Sequence, residues 1–179
     1  MRGSLFIACL LMFGLTGHAN AEKGDQYWMA KAGLSFFDKS QDEPDSLQAI
    51  NFTYGYGLTK AIAAEVDYQQ SVGGGAYKRS DNTEEGEFAY KLFSVGAAYR
   101  HVFYESLYFR GKLAFAFGDE ERTSSLVATE TSDVTNFSGA LALGFLAGDV
   151  IGSSLTLELE YIQHSSALSS VLLGANVTF

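Results

Sequence analysis

Eight charged residues carry most of the chemistry this chain could perform: Lys31, Glu65, Asp67, Arg100, Arg110, Lys112, Glu158 and Glu160. In Glu65-Val66-Asp67, Arg110-Gly111-Lys112 and Glu158-Leu159-Glu160 the charges are two residues apart, so on a strand each pair shares a face. Four are basic and four acidic. A balanced set suits an interlocked ion-pair and hydrogen-bond network, and the competing use is an ion or proton path through the same side chains. His18, His101 and His164 share no face, so a zinc site has no support, and no metal or cofactor is expected. Gly73-Gly74-Gly75 lacks the spacing and following helix of a phosphate loop and reads as an exposed tip. The formal net charge of −9 argues against nucleic acid as a partner.

The elements that position these charges alternate with period two. Trp28, Ala30, Ala32, Leu34 and Phe36 fall on one face, opposite Tyr27, Met29, Lys31, Gly33 and Ser35. The pattern recurs in residues 50–56, 62–68, 88–100, 107–117, 137–145, 155–161 and 171–179, which makes eight strands. One face of each is apolar; the other is small, polar or charged and holds the eight residues above. Around Lys91 and Leu92 the alternation falters, and a bulge is expected there. Polar stretches at 38–46, 71–86 and 119–132 read as long loops, and 57–61, 103–106 and 148–153 as tight turns. A single proline, 19 glycines, 14 phenylalanines and 10 tyrosines suit one β-rich domain.

The N-terminus reads differently. Met1-Arg2-Gly3, an apolar run from Leu5 to Phe13 and Ala19-Asn20-Ala21 make a cleavable secretory signal at 1–21, leaving 22–179 as a single domain. Cys9, the only cysteine, leaves with it, and because apolar residues continue past it lipidation is not expected. After the signal no stretch of about 18 residues is predominantly apolar as a spanning helix requires; the longest uncharged one, Tyr161 to Phe179, is broken by Gln163, His164, four serines, Asn176 and Thr178.

The final strand puts Val171, Leu173, Ala175, Val177 and Phe179 on one face and ends on an aromatic residue. Together with the strand count, the alternating connection lengths and the Gly57-Leu58-Thr59-Lys60 turn leading into Ile62-Ala63-Ala64-Glu65, it resembles the small eight-stranded outer-membrane β-barrels, the OmpA/OmpX-like group. Ala175 departs from the larger outward residue usual in that family. The resemblance implies an all-β, closed eight-stranded antiparallel transmembrane β-barrel, an up-and-down meander, in the cell outer membrane. It also implies a monomer surrounded by membrane lipid and lipopolysaccharide, with Val177 and Phe179 as the signal read by the barrel-insertion machinery. A soluble barrel would put its charges outside, whereas here the greasier face has almost none.

In such a barrel the eight charges share one layer about 10–15 Å thick, at roughly 3.3 Å per residue and a tilt near 40°. An eight-stranded interior is only wide enough for side chains, so the expectation is a plugged lumen. Interfacial girdles are expected from Tyr27, Trp28, Tyr54, Tyr56, Tyr99, Phe103, Tyr104, Tyr108 and Phe179 at the short-turn end, and from Phe36, Phe37, Tyr68, Phe117, Phe137 and Tyr161 at the other.

Three roles follow. The first is structural or surface interaction (adhesion, envelope integrity) through acidic loops, which carry Asp38, Asp42, Glu43, Asp45, Asp81, Glu84, Glu85, Glu87, Asp119, Glu120, Glu121, Glu130 and Asp133 against Lys39, Lys78, Arg79 and Arg122. Oxygen-rich loops suit divalent cations shared with lipopolysaccharide, cationic peptides or host proteins, and the extracellular ligand is not named by sequence. The second is a narrow porin-like channel. The third is a lipid A-modifying enzyme, because His164-Ser165-Ser166 resembles the His-x-Ser of the lipid A deacylases; the final strand, however, offers no carboxylate to orient the imidazole, so a polar hairpin tip is preferred and no enzyme is expected.

Overall fold

The computed structural model describes residues 24–38, 44–78, 85–124, 129–150 and 153–179. The expected signal at 1–21 and the loop charges Lys39, Asp42, Glu43, Arg79, Asp81 and Glu84 lie outside them.

Nine strands form one sheet: β1 (Gln26–Phe37), β2 (Ser46–Gly57), β3 (Ile62–Ser71), β4 (Gly75–Lys78), β5 (Glu85–Tyr104), β6 (Leu107–Ser124), β7 (Glu130–Val150), β8 (Ser153–Gln163) and β9 (Leu168–Thr178). Neighbours pair antiparallel, and β1 closes the sheet on β9 from Tyr27↔Thr178 to Phe37↔Leu168. β3 also pairs directly with β5 from Ile62↔Tyr99 to Gln70↔Lys91, and β4 takes over that pairing at Gly75↔Phe88. β3 and β4 are therefore one stave, broken where Gly73 adopts φ +77°, a conformation glycine reaches without a Cβ penalty. The result is a closed, meandering barrel of eight staves. In ring order β1 stands opposite β6, and β3 opposite β8.

Alternation sets what faces where. On β1, Tyr27, Met29, Lys31 and Ser35 are buried in the lumen while Trp28 is 58% exposed on the outer wall. Outward residues on β6 from Leu107 to Phe117, on β3 from Ile62 to Tyr68 and on β5 from Phe93 to Tyr99 carry no charge. Ten residue steps along a tilted strand give this band a height of about 25 Å, the thickness of the apolar belt of an outer-membrane barrel.

Above that band the strands continue. Within the expected loops at 71–86 and 119–132, residues 75–78, 85–86, 119–124 and 130–132 are strand, with β5, β6 and β7 paired up to Gly86↔Ser124 and Arg122↔Glu130. Lys91 and Glu121 pair at 3.1 Å on the outer face, directly above the Phe93–Phe117 ring contact of 5.1 Å. At Lys91 and Leu92 the register against β6 runs unbroken, but against the β3–β4 stave it slips by two residues between Gln70↔Lys91 and Gly75↔Phe88; further shifts fall between Val102 and Tyr104 and between Leu146 and Gly148. The pattern falters there because polarity inverts. Below, the outer face is apolar and the inner polar; above, Phe88, Tyr90 and Leu92 point inward and Glu87, Lys91, Asp119 and Glu121 outward. The inward group joins Phe37, Leu47, Ile162, Leu168 and Leu172 in an apolar cluster that fills the upper lumen.

Candidate functional site

The charges come from four alternate staves: Lys31 on β1, Glu65 and Asp67 on β3, Arg110 and Lys112 on β6, Glu158 and Glu160 on β8. Basic and acidic staves therefore alternate around the ring, and each cation is flanked by acid on both sides. The staves between supply small residues, among them Gly96, Ala142 and Gly174, which leave space for the long side chains. A Cβ at Gly174 would stand 2.5 Å from Lys31 Cγ.

Arg110 is the hub. It donates through Nη1 to both Glu65 oxygens at 2.8 Å, through Nε and Nη2 to Glu158 at 3.0 and 2.6 Å, and through Nη2 to Glu160 at 2.6 Å. Lys31 Nζ contacts Glu158 at 2.9 Å and Glu160 at 2.5 Å. Lys112 Nζ lies 2.7 Å from Asp67 and 3.5 Å from Glu65. Asp67 also accepts from Thr53 Oγ1 at 2.7 Å and Ser94 Oγ at 2.9 Å. All seven side chains are at most 4% exposed, and burial at this depth is tolerable only with such complete pairing.

The structure brings seven of the eight predicted residues together, and Arg100 is the correction. It makes no ion pair with the layer: its guanidinium carbon lies 4.6 Å from the Tyr108 ring centroid and 5.4 Å from that of Tyr27, below the charges. In the β5–β6 register it stands opposite Arg110, and its guanidinium rests on the rings of Tyr27 and Tyr108, whose hydroxyls bond Glu65 and Glu158.

Tyr27 and Tyr108 are a second correction. Expected in the outer girdle, they are 2% and 4% exposed and point into the lumen. Tyr27 donates to Glu65 at 2.5 Å and Tyr108 to Glu158 at 3.0 Å. Each ring lies across a glycine of the adjacent stave, Gly55 under Tyr27 and Gly144 under Tyr108; a Cβ there would meet the ring at 2.0 and 1.9 Å. The design thus occurs twice around the barrel: Tyr27, Gly55 and Glu65 in the first half match Tyr108, Gly144 and Glu158 in the second. Their sequence signal was parity alone, since each tyrosine lies four residues before an inward lysine, Lys31 or Lys112. Phe37, also assigned to a girdle, is 8% exposed within the upper cluster.

Sequence reasoning also missed a neutral network above the charges. Gln69 Nε2 donates to Tyr90 at 2.8 Å and Ser170 at 2.9 Å, Ser35 bonds both Tyr90 and Ser170, and Ser170 Oγ stands 3.3 Å from His164 Nε2. His164 is not a hairpin tip in solvent: it is 6% exposed, folded over the lumen from the β8–β9 turn. Burial, reinforced by the Lys112 charge, pushes its imidazole down to about 4. A cavity of about 10 Å³ between His164, Gln69 and Lys112 has room for a single water. Of the two insertion-signal residues, Phe179 is 66% exposed on the outer wall and Val177 is half-buried beside Trp28 and Leu155.

No protein-family model matches the chain, and no curated protein matches it. Solved structures do. The outer membrane protein OprG from Pseudomonas aeruginosa superposes with a TM-score of 0.65 at 11% identity, over 91% of this chain and 98% of OprG. The fold is that of the small outer-membrane β-barrels. The N-terminal β-barrel domain of Pseudomonas aeruginosa OprF gives 0.60 at 12% identity, covering 89% of this chain and 100% of that domain. Ail, the attachment invasion locus protein of Yersinia pestis, in complex with the heparin analogue sucrose octasulfate, gives 0.58 at 16% identity, covering 88% and 99%. At these identities the likeness shows a shared small-barrel fold; roles live in sites, which such barrels carry independently.

Proposed function

We propose that this protein is an integral outer-membrane barrel whose lumen is sealed by the Arg110-centred charge layer and the apolar cluster above it. It acts as a structural or surface-interaction element through its acidic extracellular end. The observation that carries the reading is the uncharged outer band about 25 Å high, set against a lumen holding seven paired charges. Large apolar side chains such as Phe137 (67% exposed) and Leu173 (63%) have no place on a wall facing water. We infer a monomer in contact with lipid and lipopolysaccharide, with Val177 and Phe179 engaging the insertion machinery. A non-enzymatic role is supported by His164, whose imidazole bonds Ser170 inside the lumen.

The outward charges above the band, Glu87, Asp119, Glu121 and Asp133 with Lys91, favour cationic partners over a sulfated sugar of the kind bound by Ail. Reconstitution tests the proposal. The protein should partition into detergent and into vesicles, and give no single-channel conductance in planar bilayers. Solubility without detergent would refute the membrane reading, and steady conductance in the wild type would favour the narrow-channel alternative.

A further inference from the structure

At the short-turn end of the lumen two side chains carry buried polar atoms without a hydrogen-bond partner. Arg100 Nη2 is buried and has no hydrogen-bond partner among the described residues. Asn176, wholly buried, has none for either Oδ1 or Nδ2. A buried polar atom without a partner costs free energy unless something occupies the space beside it, and beside Arg100 there is space. A cavity of about 40 Å³ is lined by Arg100, Ser106, Tyr108, Ser154, Thr156 and Thr178, with Asn176 opposite Thr156 in the β8–β9 register.

The charge balance explains why Arg100 remains available. Lys31, Arg110 and Lys112 face four carboxylates, so the layer above carries one excess negative charge, and Arg100 would be expected to climb to it. Tyr27 and Tyr108 intervene. Their hydroxyls point up to Glu65 and Glu158, while their ring faces hold the guanidinium below. The ring contacts hold the planar cation at the cavity wall, which also carries Ser106, Ser154, Thr178 and Thr156, the last with its hydroxyl 3.2 Å from that of Tyr108. An oriented guanidinium ringed by hydroxyl donors in a small, partly dry space is the donor set for an oxyanion.

We propose that this end of the lumen is a binding site for a small oxyanion, a carboxylate or phosphate group, with Arg100 as counter-charge and the serine and threonine hydroxyls as donors. In the barrel orientation given above the site opens to the periplasm. Binding itself does not depend on that orientation, so failure of one does not entail failure of the other. Glu105, exposed at the rim of the cavity, opposes the anion and makes the site weak in the unmodified chain.

The test uses the protein in a non-ionic maltoside detergent, titrated separately with inorganic phosphate and with acetate at constant ionic strength in sodium chloride. The readouts are the side-chain NMR signals of Arg100 Nε and the Asn176 amide. Saturable shifts of both are expected with at least one anion, and the arm that saturates identifies the group. Arg100→Met should weaken binding by about tenfold or more, the value of a charge-assisted contact. Glu105→Gln should tighten it. Absence of saturation with either anion would mean that the cavity holds only water and would overturn the proposal, as would binding undiminished in Arg100→Met. Should Arg100→Met fail to fold, the direction of the Glu105→Gln effect decides: unchanged or weaker binding rejects the site.

Discussion

Arg110 grips Glu158 with two nitrogens, Nε 3.0 Å from Oε2 and Nη2 2.6 Å from Oε1, while the same guanidinium reaches Glu65 and Glu160. Three carboxylates on two facing staves thus share one cation, with Lys31 and Lys112 as their second partners. Arg110→Met should destabilise the barrel by about 3–5 kcal/mol, the cost of leaving buried charge uncompensated. Urea unfolding in lipid vesicles measures it. The double variant Arg110→Met with Glu158→Gln should recover part of the loss; a purely additive result would deny the coupling.

Gly144 and Tyr108 make a second dependence, because no other residue at 144 leaves space for the ring. Gly144→Val should push Tyr108 aside and break its bond to Glu158, costing about 1–3 kcal/mol as overpacking does. Adding Tyr108→Ser should relieve the clash, so that the double variant is no less stable than Tyr108→Ser alone. The equivalent pair, Tyr27 with Gly55, should behave alike.

The β8–β9 turn gives the protein a pH dependence. With His164 pushed down to about 4 from an ordinary value of 6.5, the folded chain binds fewer protons than the unfolded chain between those two limits. Stability is therefore full above about pH 6.5 and falls as pH drops toward 4, by up to about 3 kcal/mol. His164→Gln should flatten that part of the urea-midpoint profile. An unchanged slope between pH 4 and 6.5 would show that the imidazole is not held neutral.

How much of this was legible in the sequence follows from what each face of a strand meets. Within the band, lipid outside and a polar lumen inside impose opposite preferences on successive residues, so Lys31, Glu65, Asp67, Arg110, Lys112, Glu158 and Glu160 could be assigned to the interior by parity. Above the band both the environment and the signal invert. Phe88, Tyr90 and Leu92 point inward with Lys91 outward, which disturbs a pattern read with a single polarity just where the β3–β4 stave slips in register. Higher still, water bathes the outer wall and hydropathy no longer marks β6 past Phe117 or β7 before Phe137, although backbone pairing continues to Arg122↔Glu130. Tyr27 and Tyr108 were misplaced because an aromatic residue near a strand end suits an interface as well as a lumen; only the facing glycines Gly55 and Gly144, invisible without the register, separate the two. For Arg100, parity gave the correct face but not its partners, the rings of Tyr27 and Tyr108.

The same inversion supplies the sharpest test of where lipid ends. Leu113 is 39% exposed near mid-height of the uncharged band, whereas Thr135, exposed and opposite Phe117, stands at its upper margin. In a bilayer an arginine at the middle of the belt costs about 2–4 kcal/mol and one near the interface about 0–1. Leu113→Arg should therefore lower the unfolding free energy in vesicles by several times more than Thr135→Arg. The comparison is internal, because both residues point outward from neighbouring staves and neither contacts the lumen network. Equal costs for the two would mean that one medium bathes both positions, and the band would then be no membrane belt.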